Sequence, residues 1–350
     1  MNALTPRQVR ALGTMAVLSP LLRIVPGAPL AAAGNAGWLS PLAALPILLL
    51  YALFLRRTLG GEGAPTPETV CRALGDRPGR VVLGLCGLWF LLYGGFLLRM
   101  NAERFLTALG VFRGWLPFAL GLLVPVVFAA GGERKALCRA AEIFLPALTA
   151  ILLLAALCAV PQMHWARLKT LPTDGGGLLS GAVPVLNVGC GTLFALALFA
   201  PGAADRAVRP GRWAARLCLT AAAICAAAVG VLGAALTVRL SQPFFILLRN
   251  LRISHALERI EALVTAVWVL PDFLMLALLL SLTREALSAA LGREKPLPAW
   301  LAGAAVLIVA AALSKTAFGL KVWSETVIPL ISPFFVLGVP AAIWAGRRRA

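Results

Sequence analysis

The chain has 350 residues, 60% of them hydrophobic and only 13% charged, whereas a soluble domain carries about a quarter charged residues. That composition belongs to a polytopic membrane protein and excludes an ordinary soluble module. The formal net charge of +18 sits mostly in short connections between apolar runs, without the interleaved aromatics of a nucleic-acid surface, so it carries topology information instead.

A spanning helix needs about 20 largely apolar residues. Ten segments qualify, near 9–32, 37–55, 81–103, 115–130, 138–160, 180–200, 214–238, 257–283, 298–314 and 326–346. Ten spans put both termini on one side. The segments on that side include Arg56, Arg57, Arg72, Arg77 and Arg80, then Arg134, Lys135 and Arg139, and Arg347 to Arg349; they hold most of the Lys and Arg. The opposite segments are poorer and include Arg104, Arg113, Arg167 and Lys169. The positive-inside rule therefore predicts cytoplasmic termini. No cleavable signal peptide is expected, because no small-residue cleavage site leads into a polar mature domain. One transmembrane domain is expected over 1–350, with halves of about 1–160 and 180–346.

The first span of each half is irregular. Span one, "LGTMAVLSPLLRIVPGAPLAAAG", carries Ser19-Pro20 and Pro26-Gly27, and span six, "GAVPVLNVGCGTLFALALFAPG", carries Asn187 to Gly191. Paired interruptions at matching positions point to an inverted-repeat transporter fold, in which broken helices expose backbone groups to a small polar ligand at mid-depth. The same Gly and Pro residues also serve close packing of membrane helices. Through the span-six break, Asn187, Gly189, Gly191 and Thr192 are candidate ligand contacts, and Ser19 lies at the span-one break. Tyr93 in span three is a cavity candidate, Gly94-Gly95 read as packing, and "PFFILLRNLRIS" at 243–254 is too short to span and reads as re-entrant or interfacial.

Span eight carries Asp272 near mid-depth at 1.5 Å of rise per residue. An unpaired carboxylate there costs roughly 2.5–3.5 kcal/mol on insertion scales, so it is protonated, paired or facing water. Arg23 sits near the centre of span one. We expect Arg23 and Asp272 to face each other, as a ligand site, as a gate that ligand breaks, or as a fixed structural pair. Glu258, Arg259 and Glu261 open span eight, where carboxylates complement the helix dipole. Trp268 is a packing residue or a cavity wall.

The seven cysteines form no CxxC, lie mostly in apolar runs and read as packing residues. The two histidines are isolated, so no metal or other cofactor is expected. There is no GxSxG, HExxH or GxxxxGK[ST] in the chain, and no enzymatic activity is expected.

"LTPRQVRALGTMAVLSPLL" and "AGNAGWLSPLAALPILLLY" resemble the opening of the B-subunit family of spore nutrient-germinant receptors, the GerAB-type spore germination proteins. The sharper match is "PFFILLRNLRISHALERIEALVTAVWVL", with Pro243, Arg249, Leu257, Glu258, Arg259, Ile260, Glu261, Ala262 and Trp268 at the family's positions. The resemblance places the chain in the amino acid–polyamine–organocation transporter superfamily. It implies an all-α, LeuT-like five-plus-five inverted repeat with broken helices one and six, and a ligand site among spans one, three, six and eight. It also implies a nutrient-sensing subunit, with an amino acid as ligand, in the spore inner membrane, working with an A subunit and a lipoprotein C subunit. Asp272 and Arg23 depart from the family's pattern. Two other classes stay open: a proton- or sodium-coupled amino-acid permease, with Asp272 as proton carrier, and a subunit of an ion-conducting assembly.

Overall fold

The computed structural model describes residues 4–59, 66–109, 114–170, 175–200, 210–240, 243–250, 260–313 and 316–348, and there it contains helices and no strand. In a hydrocarbon solvent this is the expected outcome, because a helix satisfies its backbone groups within one segment.

Helix α1 (Pro6–Ile24) begins at a capping box: the Thr5 hydroxyl accepts from Gln8 N–H, and the Gln8 side chain accepts from Thr5 N–H at 3.1 Å. It is buried all round between Val9 and Leu22, apart from Arg10 and a half-exposed Thr14, as befits a central helix. It packs on α7 (Arg134–Ala159), α8 (Gly175–Phe199) and α12 (Ile260–Ala290). The break expected at Pro26-Gly27 is present. Val25 N–H closes α1 on Leu21 C=O at 2.8 Å, and the chain restarts as α2 (Gly27–Ala33). The break expected at Ser19-Pro20 is absent, because α1 runs through Pro20. Packing on all sides holds the helix across the hydrogen bond that proline removes.

Span six corrects the sequence reading in the same way. Helix α8 is continuous through Asn187, Gly189, Gly191 and Thr192. Gly189 serves packing: a Cβ there would come within 3.0 Å of Leu48 on α3 (Ser40–Leu59) and 3.1 Å of Leu217 on α9 (Pro210–Val231). This is the small-residue contact by which membrane helices approach closely.

The remaining elements are the short amphipathic α4 (Thr66–Leu74), the long α5 (Asp76–Leu109), α6 (Leu116–Gly131), α10 (Ala234–Arg239), α11 (Pro243–Asn250) and α13 (Ala299–Leu313). The chain ends in a helical run of α14 (Ala317–Val322), α15 (Ile328–Pro333) and α16 (Val339–Arg347), joined by π turns. Among the described residues, seven helical stretches are long and apolar enough to cross a membrane. The shorter apolar α6 and α13 and the central α1 complete the ten expected segments.

Helices of the first part of the chain pack on later ones: α1 on α8, α3 on α9, α6 on α13, and above all α5 on α12. The α5–α13 contact is close at Gly95, where a Cβ would lie 2.6 Å from Val309 and 3.1 Å from Ala310 N. One side of the bundle is tied by Arg134, which pairs with Glu285 of α12 and donates to Phe199 C=O at 2.6 Å at the end of α8. Lipid-type residues such as Phe128, Ile143, Leu157 and Ile308 point outward.

Candidate functional site

Asp272 lies near the middle of α12 and is fully buried. Both carboxylate oxygens are engaged. The Ser19 hydroxyl of α1 donates to Oδ1 at 2.5 Å, and the Arg104 guanidinium of α5 pairs with Oδ2. The cost of the carboxylate is thus met by an ion pair and a charge-assisted hydrogen bond. Arg104 is buried as well. Its guanidinium lies 4.8 Å from the ring centroid of Trp268, one helical turn before Asp272. Trp268 in turn makes an edge contact with Phe244 of α11, at 5.3 Å between centroids.

Arg23 does not pair with Asp272 as expected from the sequence. It donates to Asn101 Oδ1 at 3.0 Å, while lying within electrostatic reach of Asp272, Arg104 and Tyr93. Its place in the last turn of α1 also suits a cation, because unpaired carbonyls collect at a helix C-terminus. The pairing differs because α5 supplies a nearer cation. Arg104, which the sequence reading put in an outer connection, belongs to α5 itself. A signal for it was there: Tyr93, Asn101 and Arg104 are spaced to fall on one helical face.

Ser19, Arg23, Trp268 and Asp272 therefore come together with Asn101 and Arg104, from the ends and middles of α1, α5 and α12. Tyr93 is half-buried on the same face of α5, stacked between Trp89 at 5.8 Å and Phe96 at 6.3 Å. The span-six candidates are not drawn into this cluster by any hydrogen bond among the described residues. The Thr192 hydroxyl donates to Val188 C=O at 2.9 Å within its own helix. Asn187 and Gly191 are half-buried, and no atom would lie within 4 Å of a Cβ at Gly191. By helical spacing they share a face with Phe194, which meets Phe90 of α5 at 6.1 Å. Of the signature residues, Pro243 is buried beside Gly27, at 3.7 Å from a Cβ there, so α11 abuts the α1–α2 break. Glu258 and Arg259, and the side chains of Arg249 and Glu261, lie outside the described residues.

A second charged pair, Arg99 with Glu103 at 2.6 Å, stands one turn away on α5, with Arg99 4.8 Å from the Trp115 ring centroid. The arrangement as a whole is a buried polar junction of three helices at a helix break. It has the charges and donors to bind a small polar molecule, and to couple that binding to how the helices sit.

A family model described as a spore germination protein matches residues 4–319. A comparison with curated proteins finds no match. Among solved structures, the chain is similar to Mhp1, a nucleobase-cation-symport-1 family transporter in a closed conformation with bromovinylhydantoin bound. The TM-score is 0.62 at 12% identity, covering 97% of this chain and 77% of that one. The all-α, LeuT-like architecture expected from the sequence is thereby the observed fold.

Proposed function

We propose a nutrient-sensing role for this chain, which belongs to the spore germination protein family and is an integral membrane protein of transporter-like fold. In this reading it is the B subunit of a germinant receptor in the spore inner membrane, with cytoplasmic termini and no enzymatic activity. A small nutrient, an amino acid being the first class to test, binds at the junction of α1, α5 and α12. An A subunit and a lipoprotein C subunit read out the change.

The observation that carries the reading is the buried constellation of Asp272, Arg104 and Ser19 beside Arg23 and Asn101. Three helices that a transporter fold moves relative to one another are joined there by charges. A ligand shifts that equilibrium only by as much as it favours one state over the other. A pair that rearranges when ligand binds supplies such a difference.

The test is germination of a deletion strain across a panel of nutrients. Loss of response to one nutrient class, restored by the gene, supports the role. Unchanged responses to every nutrient sink it. The likeness to a cation symporter favours one alternative, a coupled permease. Concentrative uptake of labelled amino acid into vesicles holding the purified chain would establish that alternative instead.

A further inference from the structure

Both Asp272 oxygens are already engaged, one by the Ser19 hydroxyl and the other by the Arg104 guanidinium, so its charge is paired within the protein. Among the described residues the cations exceed the anions at this junction: Arg23 and Arg104 face the one carboxylate of Asp272. Around it, three buried N–H donors have no hydrogen-bond partner among the described residues: Arg104 Nη1, Asn101 Nδ2 and Trp268 Nε1. The side chains that carry them are each more than nine-tenths buried, at 7%, 1% and 4% exposure. The Arg104 guanidinium lies against the Trp268 ring, and Asn101 precedes Arg104 by one helical turn with its oxygen already taken by Arg23.

Buried donors without acceptors are rare and costly, and a group of three beside an excess positive charge calls for an anionic acceptor. We infer that the ligand is a small carboxylate, recognised through its carboxylate group by Arg104, Asn101 and Trp268, while an amino group on it contributes nothing at this junction. A carboxylate has the two oxygens and the lone pairs to accept from all three donors. The inference rests on the reading of this junction as the nutrient site and names what that site selects.

The test measures ligand-induced thermal stabilisation of the full chain in lipid nanodiscs. The probes are two matched sets: alanine, propionate and ethylamine, then valine, isovalerate and isobutylamine. In each set the acid should bind within a few-fold of the amino acid. The amine should bind at least about tenfold more weakly, the worth of one charge-assisted contact. Trp268→Phe keeps the ring against Arg104 and Phe244 but removes one donor. Measured as a shift from its own ligand-free melting temperature, it should weaken the acid about tenfold. Chloride added alone should not reproduce the stabilisation.

Amino acids and amines that stabilise while the deaminated acids do not would overturn the carboxylate inference, yet leave the junction as the ligand site if Trp268→Phe weakens them. A chloride effect equal to that of propionate would overturn it in favour of a simple halide site. No response to any probe, or responses that Trp268→Phe leaves untouched, would overturn both the inference and the assignment of the site.

Discussion

Asp272 is tolerable in the membrane only because of its two partners. Removing one member of a buried ion pair strands the other, at a cost of about 3–5 kcal/mol, whereas replacing both by apolar residues of similar size is far milder. Asp272→Leu or Arg104→Met alone should therefore lower the melting temperature of the purified protein more than the two together, and a double-mutant cycle in detergent measures the difference. Ser19→Ala removes one hydrogen bond to a carboxylate and should cost roughly 1.5–3 kcal/mol, without breaking the pair. Single variants that cost no more than the double variant would show that Arg104 and Asp272 do not depend on each other. Arg104 also explains why residue types alone misassigned the pairing. Arg23 and Asp272 were both visible as charges within apolar runs. Arg104 followed directly on the apolar part of span three, where a cation reads equally well as a topology signal, and only its helical spacing from Asn101 and Tyr93 distinguishes it.

At the level of helices, the glycines separate packing from function. Gly95 abuts Val309 and the backbone of Ala310, so Gly95→Ala should force α5 and α13 apart. The expected cost is about 1–3 kcal/mol, the usual range for overpacking, read as a lower melting temperature. Gly191→Ala meets nothing within 4 Å and should leave the melting temperature unchanged. A reversed order would contradict the packing described for these helices. The helices themselves were legible where a periodic or fully apolar run set them, as in α5, α7 and α12. The breaks were half legible. Pro26-Gly27 ends α1, where the chain also has to turn into α2. Pro20 and the Asn187 to Gly191 stretch do not break their helices, because neighbours packed against them compensate for what proline and glycine remove. Local sequence reports the propensity to break, and tertiary packing decides.

For the whole molecule, packing of early helices on later ones puts α5 and α12 face to face and α1 beside both α8 and α12. Composition and span spacing were enough to read a helical membrane bundle of about ten spans, while the LeuT-like arrangement rested on the family resemblance. The site was legible as a region but not as a bonding pattern, since which side chains meet depends on helix rotations that no single helix encodes. The fold brings Arg23 of α1, Arg104 of α5 and Asp272 of α12 together near the α1–α2 break, so a change in how these three helices sit alters that junction. The most direct test is nutrient-triggered germination of spores carrying Arg104→Gln/Asp272→Asn, which keeps polar side chains at both positions but removes both charges. With the protein present at normal levels in the spore membrane, the response to the nutrient should be lost or shifted to at least about tenfold higher concentration, the worth of one charge-assisted contact. An unchanged concentration dependence at normal protein levels would contradict the assignment of this junction as the nutrient site.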